Sequence, residues 1–68
     1  MNSLLKGLDT SGKLRVLMAA KGITQAGLAL LLDVTRETIN NRFEANRWHV
    51  DDLTKIATIL DVKPQDLI

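Results

Sequence analysis

The chain has 68 residues, a formal net charge of +1 and no cysteine. Its length allows a single domain with a small core, and without cysteine neither disulfides nor thiolate-bound metal can support that core. No apolar run approaches the roughly 20 residues that cross a bilayer, and Met1 to Leu8 lack the apolar length of a signal peptide, so we expect a cytoplasmic domain without membrane contact.

Charge is distributed unevenly along the chain. Residues 13–47 carry six basic and three acidic side chains, whereas residues 48–68 carry two basic and four acidic ones. The mildly basic first part favours contact with a polyanion such as DNA. The excess of positive charge is small, however, and predicts modest non-specific affinity.

Residues 1–9 precede the first strong helical pattern and are treated as a tail or arm, with the domain in residues 10–68. Leu4, Leu5 and Leu8 fit an amphipathic turn, but the short length and Gly7 disfavour an isolated helix. Two interpretations stay open: a tail that packs loosely on the domain, or an arm for dimerisation or DNA contact.

A first helix is predicted from Thr10 to about Ala20. Thr10 and Ser11 both offer a hydroxyl oxygen that can cap the free N–H groups at its start, and Gly22 is suited to end it. The apolar residues of this helix recur at helical spacing, at Leu14, Leu17 and Met18.

The segment 24–43 organises the rest of the chain, because it predicts two short helices joined by a tight turn. Thr24 and Thr35 can cap these helices, and Asp33 is of a residue type that tolerates a left-handed turn between them. The apolar positions form one face of each helix: Leu28, Ala29 and Leu32 in the first, and Ile39 and Phe43 in the second.

The outer face of the second of these helices is polar. Arg36, Glu37, Asn40 and Asn41 lie opposite the apolar positions on a helical wheel. Arginine matches the major-groove edge of guanine, and asparagine that of adenine, through paired hydrogen bonds. A solvated helix surface would also be polar, so the surrounding motif, rather than polarity alone, favours DNA recognition.

Residues 24–43 resemble the helix-turn-helix of the lambdoid phage repressor and Cro family, the xenobiotic-response-element-like group. The residues that carry the resemblance are Thr24–Gln25, Leu28–Ala29, Val34, Ile39 and the step from Ile39 to Phe43. Residues 38–43 are similar to a phage-encoded branch, and residues 53–62 resemble the family's fourth helix. The resemblance thus covers about residues 13–68.

This resemblance implies an all-α fold, a compact bundle of about five short helices, and the function of a DNA-binding transcriptional regulator. The second motif helix, at about residues 35–44, would enter the major groove of a palindromic operator. The implied partners are double-stranded operator DNA and a second copy of the chain, as a weak homodimer or as a dimer formed on DNA.

Roles for individual residues follow from the resemblance and the helical wheel. The base-reading positions are Arg36, Glu37, Asn40 and Asn41, and the phosphate-binding positions are Gln25, Thr35, Arg42, Asn46 and Arg47. Alternatives stay open at some of them. Thr35 and Asn40 can read bases or phosphate, Glu37 can accept from cytosine or orient Arg36, and Arg42 can reach phosphate or pair with Asp33.

The sequence departs from the family at several positions. Met18 and Phe43 stand where many related repressors carry a buried Arg–Glu pair, and because packed apolar residues can replace such a pair, we expect them to touch. Gly27 stands where the family has Glu, so the capping box is lost. Leu30 and Leu31 occupy positions that are usually polar, and they are either surface leucines or a patch for a partner protein.

The C-terminal part predicts a loop over residues 44–49 and two further helices. Trp48 is expected to plug the core with its N–H at the rim, and a lone histidine, His49, does not predict a metal site. Pro64 suits the start of a fifth helix. Leu67 and Ile68 then fit either a dimer contact or closure of the core. The chain is either complete, like a Cro, or the N-terminal part of a longer repressor.

No enzyme is predicted, because the chain has one histidine, no cysteine, no glycine-rich phosphate loop and only scattered acidic residues. No cofactor or metal is expected. Two function classes stay open: a sequence-specific transcriptional regulator, or a helix-turn-helix module for protein contact, such as an antitoxin or antirepressor. The core is predicted to contain Met18, Leu28, Ala29, Ile39, Phe43, Trp48, Ile56 and Leu60.

Overall fold

The computed structural model describes residues 7–68, which form four α-helices and one short 3-10 helix and contain no strand. The helices are α1 (Thr10–Lys21), α2 (Gln25–Leu32), α3 (Arg36–Ala45) and α4 (Val50–Leu60), followed by the 3-10 helix Pro64–Leu67. The prediction of an all-α fold with about five short helices is confirmed. The expectation for Leu4 and Leu5 lies outside the described residues.

Side-chain caps begin the first three helices. Thr24 Oγ1 accepts a hydrogen bond from Gly27 N at 3.0 Å, and Thr35 Oγ1 accepts one from Thr38 N at 3.1 Å, so both predicted caps are confirmed. The prediction for α1 is wrong. Asp9, not Thr10 or Ser11, is its cap, with Oδ1 accepting from Gly12 N at 2.7 Å.

Each α-helix ends on a residue with left-handed backbone conformation. These residues are Gly22 (φ 71°), Asp33 (φ 57°), Asn46 (φ 52°) and Asp61 (φ 57°). A left-handed residue turns the chain sharply and lets the next N–H groups reach back to the free carbonyls of the helix. The prediction for Asp33 is confirmed, and the turns that connect the helices are short as a result.

The core is one cluster of apolar side chains drawn from all five helices. Its buried members are Leu14, Leu17, Met18, Leu28, Ala29, Leu32, Ile39, Phe43, Leu53, Ile56, Ala57, Leu60 and Leu67. Trp48 is half-buried and packs against this cluster, so all the predicted core residues are found there. Met18 and Phe43 both belong to it, while a direct contact between them stays a prediction.

The packing of the helices places α3 at the surface with one face covered. α2 and α3 pack closely on each other, α1 contacts α3 and α4, and the 3-10 helix lies against α4 and α1. Leu67 is fully buried and therefore closes the core. Of the two roles left open for Leu67, its burial agrees with closure of the core, whereas its neighbour Ile68 is exposed and stays a candidate for a dimer contact.

No single helix within residues 7–68 is long and apolar enough to cross a membrane. Only α1 and α2 taken together reach the length and apolar composition of a membrane span, and the chain bends by 99° at the break between them.

Candidate nucleic-acid interface

The rotation of α3 is fixed by its two buried residues, Ile39 and Phe43, which are 0% and 3% exposed. Since these lie four residues apart, they define one helical face that faces the core. The four candidate base-reading residues on the opposite side, Arg36, Glu37, Asn40 and Asn41, are all exposed. The wheel-based prediction of an outward polar face is thereby confirmed, although their role in reading bases stays a prediction.

These four side chains are not engaged elsewhere in the described part of the chain. None of them forms a hydrogen bond or an ion pair with another residue in the range 7–68. They carry one guanidinium, one carboxylate and two amides, which together can both donate and accept. Groups of this kind can pair with the edges of guanine, cytosine and adenine.

The first turn of α2 offers a second polar surface next to α3. Gly27 N and Leu28 N are bonded to the hydroxyl and the carbonyl of Thr24. The N–H groups of Gln25 and Ala26 find no acceptor among residues 7–68. Free N–H groups at a helix start favour anions such as phosphate. The half-buried Gln25 is thus placed beside a backbone site that suits a phosphate oxygen.

Arg42 is the candidate site residue that the structure places differently. Its guanidinium forms an ion pair with Asp52 in the first turn of α4, and their side chains are 21% and 17% exposed. The alternative pairing with Asp33 is therefore wrong. The ion pair joins α3 to α4 and directs the positive charge of Arg42 towards the protein.

The remaining phosphate candidates differ in how free they are. Arg47 is exposed in the loop after α3, and it has no ion-pair partner among the described residues. The side-chain oxygen Oδ1 of Asn46 accepts a hydrogen bond from Ser11 N at 3.0 Å, which leaves the side-chain NH₂ group of Asn46 free to donate. The Thr35 hydroxyl is engaged by Thr38 N and by the Thr38 hydroxyl at 2.7 Å. Arg47 is consequently the freest cation of this group.

Two features near the end of α3 were not predicted from the sequence. The Arg15 guanidinium lies 5.1 Å from the centroid of the Phe43 ring, a cation–π contact between α1 and α3. Ser11 is buried and bonds to three residues at the end of α3 and in its loop. The local sequence signal is a cap-forming residue type near the start of α1, which predicts a helix cap and not a contact with α3.

An exposed apolar surface lies in the second half of α2. Leu30 is 83% exposed and Leu31 is 59% exposed, which confirms the expectation for Leu30. Both residues precede the turn at Asp33. Two adjacent exposed leucines on one short helix are a candidate protein contact.

Within residues 7–68 no group of three or more His, Asp or Glu side chains is arranged to hold a metal ion. Comparison with curated proteins and with solved structures gave no significant match. The family model described as the Cro/C1-type HTH DNA-binding domain matches residues 13–68, which is most of the chain. This range contains α2, the turn at Asp33 and α3 with its exposed polar face. The chain therefore belongs to the Cro/C1-type helix-turn-helix DNA-binding domain family.

Proposed function

We propose that the protein is a sequence-specific transcriptional regulator of the phage or prophage repressor and Cro type. α3 would enter the major groove of a palindromic operator. The observation that carries this proposal is the exposed and uncommitted polar face of α3, formed by Arg36, Glu37, Asn40 and Asn41. Such a regulator would work in the cytoplasm, where its DNA target lies.

The position of these residues along α3 supports direct base reading. In helix-turn-helix proteins the first turns of the recognition helix contact base edges. Arg36 and Glu37 are the first two residues of α3, and Asn40 and Asn41 lie one turn later. We assign Arg36 and Asn41 to bidentate contacts with guanine and adenine. Glu37 accepts from cytosine or orients Arg36, and Asn40 lies at the border of the contact.

Phosphate contacts would hold α3 in register on the duplex. Gln25 and the free N–H groups at the start of α2 are suited to one phosphate, and Arg47 to another. Thr35 and the amide of Asn46 are secondary candidates, because part of their hydrogen-bonding capacity is used within the protein. Arg42 would bind phosphate only by leaving Asp52, so we assign it to the contact between α3 and α4.

We propose that two copies bind one operator. Their recognition helices would then lie about 34 Å apart, the spacing of successive major grooves on one face of DNA. The buried Leu67 leaves Ile68 as the exposed apolar residue at the C-terminal helix. One such residue is a small contact area, so the free protein should be a monomer or a weak dimer.

The proposal is tested by separating base contacts from phosphate contacts. The operator is first selected by the parent protein from a library of random duplexes. Loss of a base contact should cost about 1–3 kcal/mol on the selected site and little on random DNA. Loss of a charged phosphate contact weakens binding to all sequences and lowers the salt slope by about one unit.

Arg36→Ala and Asn41→Ala should therefore reduce the ratio of operator affinity to random-DNA affinity. Arg47→Ala should instead weaken binding to both kinds of DNA. Gln25→Ala should also weaken binding to both, with little change in the salt slope, because glutamine is neutral. Lys55→Ala on α4 removes the same charge as Arg47→Ala outside the proposed face and serves as control. If Arg36→Ala and Asn41→Ala bind the operator like the parent, the proposed recognition face is wrong.

A second function is favoured by Leu30 and Leu31, whose exposure is large for leucine on a helix of eight residues. In this alternative the chain is a protein-contact module, such as an antitoxin or antirepressor, with these leucines at the interface. Replacing both by serine should then abolish partner binding and leave the DNA affinity unchanged. A parent protein that selects no duplex from the library would favour this alternative.

A further inference from the structure

The start of α1 and the end of α3 meet at a buried polar contact centred on Ser11. Ser11 is 1% exposed and is the buried polar residue of the described core. Its hydroxyl donates to the carbonyl of Phe43 at 3.0 Å and accepts from the Trp48 indole Nε1 at 3.1 Å. Its backbone N–H donates to Asn46 Oδ1 at 3.0 Å. Ser11, Asn46 and Trp48 are called the Ser11 junction below.

The Ser11 junction satisfies helix ends that would otherwise have free backbone groups. The first N–H groups of a helix and its last carbonyls have no partner inside that helix. At the start of α1, the side-chain oxygen of Asp9 accepts from Gly12 N, and that of Asn46 accepts from Ser11 N. At the end of α3, the N–H of Arg47 donates to the carbonyl of Arg42, and the Ser11 hydroxyl donates to the carbonyl of Phe43. Each helix therefore caps the other.

This mutual capping constrains the geometry of α3 in a way that apolar packing does not. Apolar contacts are non-directional, whereas a hydrogen bond requires a narrow range of distance and angle. The Ser11 hydroxyl has one proton, which is directed at Phe43 O, so its remaining lone pairs face the indole N–H. An aromatic contact adds to this, with the rings of Phe43 and Trp48 4.8 Å apart and nearly perpendicular.

We propose that Ser11 and Trp48 are positioning residues for DNA recognition, which fix the translation and rotation of the C-terminal half of α3. Asn41 begins this half and Asn40 directly precedes it, and base readout depends on their placement to within a fraction of an ångström. The start of α3 is fixed independently by the Thr35 cap. The inference rests on the proposed function, since it assigns these residues to the same recognition helix.

The test uses the full chain with Ser11→Ala and Trp48→Phe. Ser11→Ala removes the hydroxyl, and Trp48→Phe removes the N–H while keeping an aromatic ring against Phe43. Ile56→Val is the matched control, because it weakens the buried core on α4 and removes none of the three hydrogen bonds of the junction. All proteins are compared at a temperature at which each is fully folded, so that a loss of stability alone does not change the measured affinity.

Binding to the selected operator and to random DNA gives the first measurement. Both junction variants should lose about tenfold in operator affinity, within the range of one impaired base contact, and less than about twofold on random DNA. The salt slope should not change, because no charge is removed. Ile56→Val should match the parent on both duplexes. Equal weakening on both duplexes, or parent-like discrimination in Ser11→Ala and Trp48→Phe, would overturn the inference.

The second measurement uses the free protein, so that it does not depend on DNA binding. In Ser11→Ala the indole N–H resonance of Trp48 should shift and exchange faster with solvent, and the backbone amides of Asn40 and Asn41 should shift. Unchanged amides at these two residues would refute the positioning role even if the proposed function holds. If Ser11→Ala does not fold, Trp48→Phe provides the binding measurement and the backbone amide shifts of Asn40 and Asn41. A parent that binds no DNA would refute the proposed function and, with it, the role in recognition.

Discussion

Phe43 links the core to the end of the recognition helix, and its truncation to alanine is the most informative stability test. The side chain is 3% exposed, lies edge-on to Trp48 at 4.8 Å, and has the Arg15 guanidinium 5.1 Å from its ring centroid. Phe43→Ala would leave a cavity between α1 and α3 and would remove both aromatic contacts.

The expected cost is large for a domain of this size. Deleting a buried phenylalanine ring costs about 3–5 kcal/mol, and the site should fall in the upper part of this range because the aromatic pair is lost as well. At about 0.05–0.15 kcal/mol per residue, a 68-residue domain has roughly 3–10 kcal/mol of stability in total. Phe43→Ala should therefore remove between about half and all of the stability of the folded state.

Urea unfolding followed by far-ultraviolet circular dichroism measures this effect without relying on Trp48, whose fluorescence would change with its neighbour. Phe43→Leu keeps most of the buried volume and should lower the free energy of unfolding by less than about 1.5 kcal/mol, which is usual for volume-conserving substitutions. Leu30→Ala is the exposed control and should stay within about 0.5 kcal/mol of the parent. A midpoint for Phe43→Ala equal to that of the parent would show that Phe43 does not lie in the core and that the register of α3 is wrong.

Three further predictions concern the ion pair, the first turn of α2 and assembly. Asp52→Asn and Arg42→Ala should each lower the free energy of unfolding by about 1 kcal/mol. A double-mutant cycle should give a coupling energy that decreases with salt, because the ion pair is only partly buried. Additive effects of the two substitutions would contradict the pairing. Gly27→Glu should stabilise by about 1 kcal/mol by restoring a capping box with Thr24 and replacing a helical glycine, and an unchanged melting temperature would refute this. Sedimentation should show a monomer or weak dimer without DNA, and a tight dimer would contradict the small contact at Ile68.

Local features of the fold could be predicted from the sequence because they depend on neighbouring residues. The Thr24 and Thr35 caps and the left-handed turn at Asp33 each involve atoms within a few residues of one another. The burial of Ile39 and Phe43 follows from helical spacing. The exposure of the polar face of α3 could be predicted for the same reason.

Features that depend on tertiary contacts could not be predicted. Asp9, Thr10 and Ser11 are all capable caps, and the choice among them is made by Phe43 and Trp48, which engage the Ser11 hydroxyl more than 30 residues away. Arg42 pairs with a residue on another helix, so the wheel of α3 alone could not identify its partner. The role of Leu67 was ambiguous because both a dimer contact and core closure require an apolar residue there.

The sequence separation of the Ser11 junction also has a consequence for the order of folding. The contacts between α2 and α3 close short loops, whereas the three hydrogen bonds of Ser11 span 32, 35 and 37 residues. Longer loops cost more entropy to close, so the helix pair should form first and α1 should dock on the end of α3 late. Interactions that form after the rate-limiting step of folding slow the unfolding rate but do not change the folding rate. Loss of the Ser11 hydroxyl should therefore accelerate unfolding and leave the refolding rate nearly unchanged.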